Sequence, residues 1–320
     1  MVSNIMYYIG IDLGGTNTKV GIVDKDGRIL KNTSIKTRKN AASQLVIKDI
    51  AEAIKGTINK FGITEKEIEH IGIGVPGLAD NETGVILKAV NINFLNVKLR
   101  DEMKKYFDIP IYLENDANCA ALAESMFGAA KGYKNSITLT LGTGIGGGII
   151  IDKKIYKGFN CASGELGHMS INTNGIVCNC GRKGCFEMYA SATALKKQAI
   201  ATVKNNKDTI MYNIVNGNID KVEARLVFNC AKQNDKVALY IVNRYMRYLS
   251  CGIENIINIF QPDVIVIGGG ISNAGEYFLN KIRSLVKNSH EMARDLDKRT
   301  RIELAKLGND AGIIGAAFLG

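Results

Sequence analysis

The chain has 320 residues, 46% of them hydrophobic and 22% charged, which suits two lobes with a sizeable interior better than one compact core. No stretch approaches the roughly 18 to 20 uninterrupted apolar residues of a membrane span. The formal charge of +10 invites a nucleic-acid partner, yet the densest basic groups, Lys36-Thr37-Arg38-Lys39 and Arg294 to Arg301, are broken by Asp or uncharged residues and lack interleaved aromatics, so a solvated lysine-rich surface that welcomes a small anionic substrate is expected instead.

The first strand, Tyr7 to Ile11, runs into Asp12-Leu13-Gly14-Gly15-Thr16-Asn17-Thr18-Lys19, and Val20 to Val23 resumes an apolar strand before the turn Asp24-Lys25-Asp26-Gly27. This spacing predicts a hairpin with a Gly-Thr tip and a third strand over Arg28 to Thr37. Helical periodicity follows from about Ala41 to Phe61, then a strand from His70 to Val75 closed by Pro76-Gly77. Leu99 to Phe107 reads as a helix and Ile111 to Leu113 as a strand, and Asn115-Asp116 opens an alanine-rich helix through Phe127.

The pattern then restarts. Ser136 to Leu141 reads as a strand entering the tip Gly142-Thr143-Gly144-Ile145-Gly146-Gly147-Gly148, with Ile149 to Ile151 as the returning strand and a turn at Asp152-Lys153-Lys154. Helices are expected near Ala192 to Lys204 and from about Lys236 to Ile259, and a buried strand Val264 to Ile267 meets Gly268-Gly269-Gly270. Ile302 to Leu304 and a small-residue helix from Asp310 to Leu319 end the chain. Strands alternating with helices imply an α/β protein with a partly parallel sheet, built as two related halves facing a cleft. The expected lobes are 1–117 with about 306–320, and 118–305.

One histidine and three cysteines, His168, Cys178, Cys180 and Cys185, are spaced for a closed, structural zinc site that fixes Glu165 and Glu187 beside it. Buried unrelated thiols are the competing reading. Seven cysteines, an odd number, and a start at Met1-Val2-Ser3-Asn4 without a basic segment point to a reducing, cytoplasmic setting. The two Gly-Thr tips, around Gly14-Gly15-Thr16 and Gly142-Thr143-Gly144, form a clamp for phosphates or are plain tight turns; neither is a Walker loop, and Gly268 to Gly270 is no dinucleotide fingerprint. Asp12 suits the magnesium of a nucleotide or a turn. Asp116 suits a base that takes a proton from a hydroxyl attacking a γ-phosphate, or a helix N-cap.

These motifs, with Glu114-Asn115-Asp116-Ala117, Gly164-Glu165-Leu166-Gly167-His168, Cys178 to Glu187 and Leu307-Gly308-Asn309-Asp310-Ala311-Gly312, resemble the ROK family nearly end to end, and within it the bacterial glucokinases. The resemblance implies a two-lobed actin-like ATPase (ribonuclease H-like) fold with MgATP and a hexose between the lobes, and transfer of the γ-phosphoryl group to the 6-hydroxyl of glucose. It implies Asp116 as catalytic base and Gly77, Asn91, Asn115, Glu165, His168 and Glu187 as sugar contacts. Asp12, Gly14, Gly15, Thr16, Lys19, Gly142, Thr143, Gly144 and Gly268 to Gly270 fall on the nucleotide side, and His168, Cys178, Cys180 and Cys185 match the zinc ligands, with one ring nitrogen of His168 on the metal and the other facing the sugar. Phe94 departs from the family pattern, where a tryptophan is expected, at the rim of the sugar site. A homodimer or homotetramer is implied. An N-acetylmannosamine or N-acetylglucosamine kinase is the nearer alternative. A sugar-responsive repressor is the further one, weakened by the eleven residues ahead of Asp12, too few for a DNA-recognition module.

Overall fold

The computed structural model describes residues 6–289 and 299–320, so most of the basic run from Arg294 to Arg301 lies outside the described residues. The strands in chain order are β1 (Tyr7–Leu13), β2 (Asn17–Val23), β3 (Ile29–Lys36), β4 (Ile68–Val75), β5 (Leu78–Asp80), β6 (Val85–Ala89), β7 (Phe94–Val97), β8 (Ile111–Asn115), β9 (Ser136–Leu141), β10 (Ile145–Ile151), β11 (Lys154–Ile155), β12 (Val264–Gly268) and β13 (Arg301–Leu304). The helices are α1 (Ser43–Phe61), α2 (Leu99–Met103), α3 (Asp116–Met126), α4 (Glu187–Ala190), α5 (Ala192–Asn205), α6 (Ile210–Ile214), α7 (Ala224–Lys232), α8 (Lys236–Phe260), α9 (Glu276–Ser289) and α10 (Ala311–Ala317).

Two five-stranded sheets repeat one order, β3-β2-β1-β4-β8 and β11-β10-β9-β12-β13, and a small third sheet runs β5-β6-β7. In the first, β1 is antiparallel to β2 and β2 to β3, while β1, β4 and β8 run parallel. This hairpin-then-crossover design is the internal repeat expected from the two glycine tips. The inner strands β1 and β4 are buried almost throughout because helices lie against them, whereas the edge strand β3 is polar and largely exposed. On one face, α1 places Val46, Ile47, Ile50, Ile54 and Ile58 at helical spacing against Ile9, Ile11, Val20, Ile22, Ile71 and Ile73. Gly62 in the left-handed region (φ 85°) ends α1, its N–H returning to the carbonyl of Ile58.

The other face carries α10, brought close by absent side chains. A Cβ on Gly72 would overlap the carbonyl oxygen of Ala316, and one on Gly315 would overlap that of Cys119, so β4, α10 and α3 meet backbone to backbone. The chain forms two compact units, Met1–Thr138 with Gly148–Gly164 and Lys306–Gly320, and Leu139–Gly147 with Glu165–Ala305. The first unit continues past residue 117 because α3 packs on α10.

Three local readings change. The helix expected over Leu99 to Phe107 stops at Met103. The second glycine run is a tip only over Gly142 to Gly144, since β10 already begins at Ile145. Phe94 is 2% exposed in the core of the first unit, so it packs inward. Among the described residues, no helix is long and apolar enough to cross a membrane.

Candidate active site

In the first unit, the tip after β1 is held by its neighbours. The Gly14 N–H donates to the carbonyl of Asn17 at 3.1 Å, and the Thr37 hydroxyl donates to the carbonyl of Gly14 at 2.7 Å. Thr16 is exposed, and Gly15 lies so near Asn91 that a Cβ would sit 3.2 Å from that side chain. Asp12 faces Lys19 across the hairpin, with its Oδ2 3.9 Å from Nζ, and Nζ donates to the carbonyl of Asn309 at 3.1 Å. Burial raises the Asp12 carboxyl above its usual range, and Lys19 opposes the rise. A carboxylate kept short of water in this way suits a divalent cation, which magnesium would supply by binding one carboxylate plus substrate phosphates.

The strand β8 delivers Glu114, Asn115 and Asp116 to the start of α3. Asn115 is the N-cap: its Oδ1 accepts from the N–H groups of Ala117 at 2.8 Å and Asn118 at 3.2 Å, and its Nδ2 donates to the carbonyl of Gly77 at 3.0 Å. The capping role open to Asp116 therefore falls to its neighbour. Asp116 is the first helical residue, half-buried, with Oδ1 2.8 Å from the Ala117 nitrogen. Negative charge is favoured there by the partial positive charge of the helix N-terminus. Gly77, Asn115, Asp116, Asn91, Gly15 and Asp12 thus all belong to this unit, on neighbouring strand ends and turns.

The second unit gathers the others. The Gly142 N–H donates to the carbonyl of Gly144 at 3.0 Å and the Gly142 carbonyl accepts from Ala192 at 2.9 Å. Gly269, at φ 86°, lies against the backbone of Leu141, so Gly268 to Gly270 adjoin the tip. A Cβ on Gly144 would overlap Oε2 of Glu187. Glu187 begins α4, and its Oε1 is 3.5 Å from His168 Nδ1 and 3.1 Å from Cys178 Sγ. The other ring nitrogen, Nε2, is 3.8 Å from Oε2 of the exposed Glu165.

The Cys loop turns because Gly181 (φ 89°) and Gly184 (φ 75°) take left-handed conformations, and the loop is laced by Cys178 N–H to the Arg182 carbonyl at 2.8 Å. One donor atom from each of His168, Cys178, Cys180 and Cys185 lies within 4.8 Å of the others. Cys180 and Cys185 sulfurs are 3.5 Å apart, and Cys178 Sγ is 3.6 Å from His168 Nδ1. A tetrahedron with zinc bond lengths has S–S and S–N edges of about 3.8 and ~3.6 Å, so this donor set fits zinc in both chemistry and spacing. Burial pushes the Cys178 thiol up to about 12 and also raises Cys185, while the Arg182 N–H lowers the exposed Cys180. A dication would supply the positive charge that three thiolates need. Among the described residues, all seven cysteines are free thiols.

Sequence reasoning missed the residues that brace these groups from afar. Lys157 pairs with Glu114 at 3.1 Å, and Glu124 accepts the N–H groups of Lys306 and Leu307, both at 2.9 Å. No local spacing signals partners that stand 43 and more than 180 positions apart.

The model of the ROK family matches residues 8–320. The chain is 37% identical over 312 residues to the glucokinase of Thermotoga maritima, covering 97% of this chain and 96% of that one. It is similar in structure to a ROK family glucokinase from Streptomyces griseus solved in complex with glucose and AMPPNP, with a TM-score of 0.82, 33% identity, and coverage of 98% and 99%. It is also 32% identical over 307 residues to the xylose repressor of Caldicellulosiruptor bescii, covering 96% of this chain and 76% of the repressor. The repeated sheets are those of the actin-like ATPase fold, and the chain belongs to the ROK family.

Proposed function

We propose that this protein is an ATP-dependent glucokinase that moves the γ-phosphoryl group of MgATP to the 6-hydroxyl of glucose. The observation that carries the reading is the arrangement at the start of α3, where Asn115 caps the helix and Asp116, whose Oδ1 accepts the Ala117 N–H, stands beside it as a half-buried carboxylate at a strand end. Phosphoryl transfer asks little covalent chemistry of a protein, so catalysis rests on placing the sugar, neutralising the phosphates and accepting one proton. Asp116 would take that proton. Asn91, Asn115, Glu165, His168 and Glu187 would orient the sugar hydroxyls, with Gly77 contributing backbone.

Gly14 to Thr16 with Lys19, Gly142 to Gly144 and Gly268 to Gly270 would hold the nucleotide through backbone N–H groups and hydroxyls. Asp12 would hold magnesium, which neutralises charge on the phosphates when bound. Zinc on His168, Cys178, Cys180 and Cys185 would have no open position for water and so would serve as a scaffold for Glu187 and His168. Free thiols and an ATP substrate favour a cytoplasmic setting. The likeness to glucokinases also favours a homodimer or homotetramer, which sedimentation would test.

Coupled ADP release with glucose, mannose, fructose, N-acetylglucosamine and N-acetylmannosamine tests the substrate; a preference for an acetamido sugar would overturn glucose. Asp116→Asn should bind glucose nearly normally and lose roughly 10²- to 10⁴-fold in turnover. A variant keeping more than about a tenth of wild-type turnover would remove Asp116 from the role of base.

A further inference from the structure

Glu114 is 3% exposed and stands two residues before Asp116. Its Oε1 accepts from the Asn115 N–H at 2.9 Å and from Asn118 Nδ2 at 3.0 Å, and its Oε2 meets Lys157 Nζ at 3.1 Å. Lys157 comes from the segment that follows β11, in the same compact unit. A buried carboxylate is costly unless paired, and shaping the start of a helix needs no charge, since Asn115 already caps it.

The other titratable groups around this end of α3 in the unit include Asp12 on β1 with Lys19 on β2, Cys119 on α3, and Cys161 on the segment that carries Lys157. The Cys161 thiol is raised by burial and by the charges of Asp80 and Glu114, while Lys157 opposes them. The Cys119 thiol is pushed up first by burial and then by the charges of Glu114, Asp116 and Asp12, while Lys157 opposes them. Three carboxylates and one lysine therefore act on one buried point. Two negative charges near a proton acceptor weaken its ionised form unless a cation balances them.

We propose that Lys157 is a positioning residue: by pairing with Glu114 it offsets the buried carboxylate, two residues before Asp116, that grips the Asn115 N–H, so that the proton acceptor works at neutral pH, and it ties its own segment to the start of α3. The inference rests on the reading of Asp116 as the base.

The test is the pH profile of kcat/KM for glucose in four proteins of a double-mutant cycle: wild type, Lys157→Met, Glu114→Gln and the double variant. Lys157→Met should move the acid limb upward by about one pH unit and leave the alkaline plateau. Glu114→Gln should move the limb down, the double variant should return it close to wild type, and Lys157→Arg should restore it in full. If Lys157→Met fails to fold, Glu114→Gln and the double variant still decide the matter. A stationary limb, or a rate that falls equally at every pH without rescue by arginine, overturns the proposal. Asp116→Asn is run alongside. If it is inactive, a stationary limb removes only the role of Lys157; if it stays active, the base reading falls and this inference falls with it.

Discussion

Replacing Cys180 tests whether the thiol cluster is a metal scaffold for the sugar side of the site. Cys180 is the exposed member of the cluster, so Cys180→Ser removes a ligand without opening a core cavity, unlike Cys178 and Cys185, which are 3% and 0% exposed. Structural zinc sites bind with apparent free energies of about 10–16 kcal/mol. Shared over four ligands this is ~2.5–4 kcal/mol each, and at about 1.4 kcal/mol per decade the loss of one weakens retention by ~10²–10³-fold. Metal content by mass spectrometry under graded chelator, with glucose kinetics on the same samples, measures both consequences. Wild type should hold one zinc per chain, and the variant should release it at correspondingly lower chelator. In the zinc-free proteins the glucose KM should rise, since Glu187 and His168 lose the ion that fixes them. Full zinc in Cys180→Ser under the same chelator would refute the ligand set, and an unchanged KM in verified zinc-free wild type would refute the scaffold role.

Gly315→Val should lower the stability of the fold by about 1–3 kcal/mol or more, because its Cβ would press on the backbone carbonyl of Cys119; an unchanged urea midpoint would mean that α10 and α3 are less closely packed. Asp235→Ala should cost ~2–4 kcal/mol, combining a lost cap on α8 at 2.8 Å from the Ala238 nitrogen with the orphaned Ile210 N–H and Thr209 hydroxyl, and urea unfolding measures it. Burial raises the Asp235 carboxyl, but the Ala238 and Ile210 N–H groups and the Thr209 hydroxyl win and hold it below its usual range. Its contribution is therefore complete above the ordinary carboxylate value and drains away as pH falls through the lower folded value, and Asp235→Asn should lose that dependence. For His70, burial lowers the imidazole against the pull of the Ala317 carbonyl, which lies 2.8 Å from Nε2. The unfolded chain then takes up the proton first, so stability should fall as pH drops through about 6.5, and His70→Gln should flatten that slope in urea titrations from pH 5 to 8.

What could be read in advance followed from chain-local physics. The strand Ser136–Leu141 alternates hydroxyl and apolar residues up to a glycine turn, and α8 keeps its apolar period from Lys236 to Phe260. The motifs around Asp12, Asp116 and the cysteines lie within a few residues each, so donor spacing was visible directly. The failures share a cause in tertiary packing. Gly146 to Gly148 resemble a loop, yet they lie in β10, and a Cβ on Gly148 would press on the carbonyl of Ala117, so that position lacks a side chain because the start of α3 lies against it. The short strands β5 to β7 hold three to five residues each, too few to show a period, and neither α7 nor α9 was recognised. The lysine facing Glu114 has no local signature at all.

On the proposed reading, Glu114 to Asn118 hold a base, a cap and a buried charge together, which resolves a conflict that one side chain cannot. A capping carboxylate is occupied with backbone N–H groups, whose hydrogen bonds favour its ionised form but weaken it as an acceptor of a substrate proton. Asn115 takes the cap with an uncharged oxygen and spends its amide on Gly77, which also ties the helix start to the β4–β5 turn. Asp116 then shares the Ala117 N–H with the cap, at 2.8 Å, and keeps the favourable field of the helix end, while its backbone is fixed by the cap beside it. Glu114 adds stiffness by gripping the Asn115 N–H and Asn118, at the cost of a second negative charge that Lys157 faces at ion-pair distance. Rigidity and basicity are thus supplied by different residues, and the relation between them runs through one salt bridge contributed from 43 positions away.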